Sequence, residues 1–188
     1  MRSIVAFMSL VLVCSALFAQ QQNHGSSASE DAMKWLTEKI DAFGNYTFTY
    51  KCDGCEERTT SLHQKLSVSN CQVELSTTIS LSPEVSSKGT MTAYFGYFDP
   101  ATIEVQELAL APSGSTVVSG PQRHYLLRVY TRNKDKRVEQ SFVGNDGRSS
   151  SGLRADLYFD LSDSDIAHRA IKALTDAING CQGSKEKY

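Results

Sequence analysis

Between Asn45 and Leu161 the apolar residues recur mainly at every second position, whereas over 33–43 before it and 166–178 after it they recur every third or fourth. A strand presents one face with a period of two and a helix with a period of 3.6, so the folded part must open with a helix, run through strands and close with a helix. Met33, Leu36, Ile40 and Phe43 mark the first helix, with Ser27 and Glu30 as a capping box and Gly44 at its end. Ile166, Ala170, Leu174, Ala177 and Ile178 mark the last, with Ser162, Asp163 or Ser164 as its cap and Gly180 as its stop.

The strands between them number about seven. Tyr46, Phe48, Tyr50 and Cys52 alternate, and Asp53-Gly54 signals a tight hairpin. The return from Glu56 to Val68 is polar and weakly patterned, which reads as an exposed edge. Cys71 to Leu81 is the longest alternating run, Ser82 to Lys88 a turn, and Met91, Ala93, Phe95 and Tyr97 alternate again. Asp99-Pro100 turns into Ile103 and Val105, and the opposite phase of Leu108 and Leu110 suggests a bulge. A loop over 111–121 precedes Tyr125, Leu127 and Val129; the turn 133–136, a short return to Val143 and a loop over 145–152 lead to Leu153, Ala155, Leu157, Phe159 and Leu161. Strands do not alternate with helices, so a doubly wound parallel sheet is excluded. The fold class is α+β: an N-terminal helix, mostly antiparallel strands in a curved sheet or a pleckstrin-homology-like barrel, and a C-terminal amphipathic helix packed on it.

The N-terminus reads as a secretory signal. Arg2 is followed by an apolar run of about fifteen residues, short of the roughly 20 that cross a bilayer, and Ala19 is a small residue at a plausible cleavage point. An uncleaved anchor is disfavoured by that length. Lipoprotein processing at Cys14 is disfavoured by the branched Val13 before it. The chain then divides into a signal at 1–19, a polar lead at 20–28, one domain at 29–182 and a tail at 183–188. Cleavage leaves no membrane span, a charge of −3 and four cysteines: Cys52, Cys55, Cys71 and Cys181.

An even cysteine count in an oxidising compartment favours disulfides. Cys52 and Cys55 flank a hairpin turn at a separation that a disulfide fits, and Cys71 and Cys181 would pin the last helix to the sheet, so the expected pairs are Cys52–Cys55 and Cys71–Cys181. Two other uses of the thiols compete. A redox CxxC needs a thiolate stabilised by a helix N-terminus, but this one lies between strands and precedes Glu56-Glu57. A zinc set of Cys52, Cys55, His63 and Cys71 lacks the second cysteine pair of a ribbon.

Little else points to chemistry. Nineteen Lys and Arg against twenty-one Asp and Glu leave no basic excess for nucleic acid. His24, His63, His124 and His168 read as solvated, with His124 on an outward strand face. Asp160, Asp163 and Asp165 do not fit a calcium loop and suit helix capping better. Arg123, Arg128, Arg132, Lys134, Lys136 and Arg137 read as a solvated basic turn. Asn45-Tyr46-Thr47 is a glycosylation sequon, relevant to a eukaryotic source. Tyr94, Tyr97, Phe98, Tyr130 and Tyr158 include outward-facing rings whose clustering would mark a partner surface.

Trp35-Leu36 in the first helix, Cys71 in its strand, the segment Asp99 to Ile103, Leu157-Tyr158-Phe159 and Cys181 after the last helix form an ordered outline. Over about residues 30–182 it resembles pleckstrin-homology-like barrels and small exported bacterial domains of unknown function. The phosphoinositide chemistry of the former belongs to inner membrane faces and is not implied for an exported chain. The expectation is therefore an exported, non-enzymatic domain that binds an unknown protein or small ligand through its sheet face or edge, with no cofactor and no metal. The alternatives are a thiol–disulfide oxidoreductase using Cys52 and Cys55, and a carrier holding a small apolar ligand between sheet and final helix.

Overall fold

The structure, a computed structural model, describes residues 28–82 and 85–182. The signal at 1–19 with Cys14, His24, Ser27, most of the lead and the tail at 183–188 lie outside the described residues. Helix α1 spans 28–43. Ten strands follow: β1 (Tyr46–Cys52), β2 (Arg58–Ser69), β3 (Gln72–Leu81), β4 (Val85–Tyr94), β5 (Glu104–Ala109), β6 (Ser115–Ser119), β7 (Arg123–Tyr130), β8 (Val138–Val143), β9 (Ser149–Arg154) and β10 (Asp156–Leu161). Helix α2 (Ser164–Cys181) follows the last strand. Every pairing is antiparallel. The strands form one seven-stranded sheet, ordered β6-β1-β2-β3-β4-β8-β9, and one three-stranded sheet, β10-β7-β5. The α+β class stands, in its open-sheet form rather than as a closed barrel.

The core lies where the inner face of the large sheet meets both helices and one face of the small sheet. Leu66, Val73, Leu75, Met91 and Val138 from the large sheet join Leu36 and Ile40 of α1, Leu174 and Ile178 of α2, and Leu127, Val129, Leu157 and Phe159 of the small sheet. The helices are held by specific contacts. Asp163 caps α2 by accepting from the Ile166 amide at 2.9 Å. Gly180 does not stop α2, as the sequence suggested, but sits inside it. A β-carbon there would lie 2.1 Å from Ser29 Oγ, so the glycine exists to let the two helices touch.

Several expectations change, each for a local reason. Strand β2 is central, not an edge: its buried positions include Thr60 and Gln64, so counting apolar residues misses its alternation. Strand β6 lies in the supposed loop 111–121, disguised by the adjacent Val117 and Val118. Strand β9 lies largely in the supposed loop 145–152, because Ser149, Ser150, Ser151 and Gly152 show no apolar face. The run from Leu153 to Leu161 is two strands in two different sheets, joined at Ala155. The β5–β7 register is unbroken and Leu108 pairs His124, so no bulge sits there; the large sheet slips instead between Thr49 and Tyr50, opposite β6. Residues Phe95–Tyr97 form a 3-10 turn that buries both Phe95 and Phe98, so Phe98 faces the core and not a partner. Cys71 is not the first residue of β3. With Asn70 it occupies the centre of a two-residue hairpin turn, both at positive φ (49° and 64°), the left-handed pair that such a turn requires.

The inner face of the large sheet also runs beyond its cover. Ile79, paired to Leu62, and Phe142, paired to Gly89, share the face of Leu66 and Leu75, yet Ile79 and Phe142 are 38% and 39% exposed.

Candidate functional site

The four cysteines among the described residues pair as expected, Cys52 with Cys55 and Cys71 with Cys181, at Cα separations of 5.3 and 5.7 Å. Each sulfur is thereby bonded to another sulfur, and His63 projects from the exposed side of β2, so the zinc set is not assembled. Cys52–Cys55 bridges the exposed tip of the first hairpin, far from any helix N-terminus in sequence. Cys71–Cys181 is buried at its helix end and ties the β2–β3 turn to the last residue of α2. That junction is densely bonded: the Phe95 amide donates to the Cys71 carbonyl at 2.9 Å, and the Tyr94 hydroxyl to that of Cys181 at 3.2 Å.

The three aspartates separate into three roles. Asp163 caps α2 and Asp165 lies in its first turn, while Asp160 stands on β10 and binds His124. His168 is exposed, its Nδ1 against the Ser164 carbonyl at 2.8 Å. The basic residues do not converge. Arg123 pairs with Glu107, Arg137 with Asp135 at 3.7 Å, and Arg128 with Asp156 at 3.4 Å. The outward tyrosines are occupied as well: Tyr130 carries Lys134 at 5.3 Å, Tyr158 carries Arg154 at 5.2 Å, and Tyr97 carries Arg137 at 5.0 Å. Asn45 of the sequon is also engaged, its Oδ1 accepting from the Gln64 amide at 2.7 Å.

Two polar groups escape the sequence reading because their members are far apart in the chain. In the first, His124 is not outward and solvated. Its Nδ1 lies 2.5 Å from Asp160 Oδ1 and 3.3 Å from the Tyr46 hydroxyl, joining β7, β10 and β1. Burial, and after it the Asp160 charge, pushes the Tyr46 phenol up. A nucleophilic relay needs the orienting carboxylate and the nucleophile on opposite ring nitrogens. Here both meet Nδ1, so the group is a clasp between the two sheets. Gln64 reinforces it, its buried Oε1 accepting from the Asp160 amide at 3.0 Å. In the second, Arg154 grips the buried Asp156 through two bonds of 3.0 Å each, which holds its guanidinium above the usual arginine value. Arg128 Nε adds an ion pair to the same carboxylate but is out of hydrogen-bond alignment.

The surface that remains open lies at the β9 end of the large sheet. Five of the six β9 residues are exposed, and Leu153 is 56% exposed. Cross-strand pairing sets side chains in rows on the outer face: Thr90, Ser141 and Ser151 form one, and Thr92, Glu139 and Leu153 the next. Between these rows runs a groove of 360 Å³. A second groove, of 350 Å³, lies between α1 and α2 beside Trp35, whose ring carries Lys39 at 6.0 Å and Arg169 at 5.5 Å. Among the described residues no group of three or more His, Cys, Asp or Glu is arranged to hold a metal, and no helix is long and apolar enough to cross a membrane. No protein-family model, no curated protein and no solved structure matches the chain.

Proposed function

We propose that this chain is an exported, disulfide-stabilised, non-enzymatic binding domain that takes its partner along the β9 edge of the large sheet. The observation that carries the reading is the state of that edge. A strand edge is a row of unpaired amides and carbonyls that recruits another strand unless something blocks it; Ser149–Arg154 holds no proline, acid or bulge, and its one charge, Arg154, is bound to Asp156. The apolar leader behind Arg2 and the even number of cysteines after Ala19 support export. A photo-crosslinking residue at Leu153 should give a discrete adduct in the producing cells, and one at Gln106 on the β5 edge should not. Absence of an adduct at Leu153 would sink the reading. An alkylated intact mass of the secreted protein, showing cleavage after Ala19 and no free thiol, checks export and oxidation together.

A thiol–disulfide activity is the second reading, favoured by the exposure of the Cys52–Cys55 turn. Insulin reduction that requires both Cys52 and Cys55 would establish it against the first. The carrier reading has less support, because the interface between α2 and the small sheet is filled by Leu127, Phe159, Leu174 and Ile178, each fully buried.

A further inference from the structure

Among the described residues the two sheets have four edges, and three carry an obstacle. The β6 edge is five residues long and lies against a slipped register in β1. The β5 edge holds Glu104 and Glu107, the latter ion-paired to Arg123. On β10 the Asp160 amide is already taken by Gln64. Only β9, with serines, a glycine and a leucine over 149–153 and its single charge, Arg154, already bound to Asp156, is left without an obstacle among the described residues. Beside it the groove lined by Thr90, Thr92, Glu139, Ser141, Ser151 and Leu153 opens on the outer face. An edge supplies main-chain hydrogen bonds and an adjoining pocket reads alternate side chains, the two parts of peptide recognition by strand addition.

The groove chemistry selects the peptide. Glu139 is exposed and has no ion-pair partner among the described residues, and Leu153 stands opposite it on β9. A strand added to β9 would lie two strand spacings, about 10 Å, from the backbone of β8. Lysine and arginine span such a gap with an apolar stem over Leu153 and a charge at the far end. We infer that β9 binds an extended peptide segment whose outward-facing side chains include a lysine or arginine that reaches Glu139. This rests on the edge-binding reading above and adds the partner's chemistry.

The probe is a fluorescein-labelled Thr-Val-Thr-Lys-Thr-Val-Thr peptide, read by fluorescence anisotropy against the oxidised protein, with a second peptide carrying Glu in place of Lys. The Lys peptide should bind roughly tenfold more tightly than the Glu peptide, and Glu139→Gln should bring the ratio close to one. Peptides N-methylated at every second residue, in the two possible phases, should differ, because only one phase removes the amides that face β9. Equal affinity for the Lys and Glu peptides, or equal effects of the two methylation phases, overturns the inference. A concentration-dependent dimer in sedimentation that persists at saturating peptide also overturns it, because a second copy then holds the edge. If no peptide binds while Leu153 still crosslinks, the partner chemistry is wrong and the edge reading stands; if both fail, both fall.

Discussion

Cys71 performs two tasks that conflict, and the conflict can be measured. Its sulfur closes a loop to Cys181 over a separation of 110 residues, and its backbone sits at φ 64°, where a residue with a β-carbon is strained. Loop closure over that span removes about 16 cal/mol/K from the unfolded chain, about 4.8 kcal/mol at room temperature in the chain-entropy account. The left-handed turn position costs roughly 1–2 kcal/mol in a non-glycine residue, of which glycine's greater unfolded freedom offsets about half. Cys71→Ala with Cys181→Ala should therefore lose about 5 kcal/mol, a large part of the usual 5–15 kcal/mol total. Cys71→Gly with Cys181→Ala should recover about 0.5–1 kcal/mol of that. Urea unfolding followed by far-ultraviolet circular dichroism reads both, and the m-value should rise in each variant as the unfolded chain expands. A total loss below about 1 kcal/mol with unchanged m would refute the loop argument. A glycine variant no more stable than the alanine one would refute the turn.

Other outcomes follow from the same reasoning. Gly180→Ala should destabilise by about 1–3 kcal/mol despite alanine's better helix propensity, because its β-carbon would meet Ser29; Ser29→Gly in the same chain should restore part of the loss in thermal melts. Burial and Asp160 raise the Tyr46 phenol above its ordinary 10.0, so the folded state keeps a proton that the unfolded state loses above that pH. Stability from this source is full below about pH 10 and falls as pH rises beyond it, and Tyr46→Phe should flatten that part of the unfolding curve against pH. Asp156→Ala leaves Arg154 and Arg128 without their shared carboxylate; the arginines are partly exposed, so the expected loss in urea unfolding is about 2 kcal/mol rather than the larger cost of a fully buried pair.

The sequence showed most clearly the places where burial coincides with apolar chemistry. Leu36, Ile40, Leu75, Phe159 and Leu174 lie on the faces their spacing implies, and the cysteine spacing anticipated both bridges. Strand β2 was misplaced because a central strand here buries Thr60 and Gln64, whose value comes from partners elsewhere, Gln64 from the Asp160 amide 96 residues away. Strand β9 was hidden because an edge with both faces exposed needs no apolar period. The His124 clasp was invisible for a different reason: Tyr46, His124 and Asp160 are each unremarkable in their own strands, and only the approach of β1 to the small sheet brings them together. The open edge and its groove likewise exist only once strand order is known.

The Cys71–Cys181 bond also decides how the molecule answers tension. A pull on the chain beyond Gln182 enters at Cys181 and passes through sulfur directly to Cys71. Strands β3 to β10 and helix α2 are bypassed by the load, and about 360–400 Å of extended chain is withheld from stretching. Among the described elements only α1, β1 and β2 remain in series with the force. While the bond is intact, the open β9 edge belongs to the shielded part, so a partner bound there would not be stripped off by unravelling the strand beneath it.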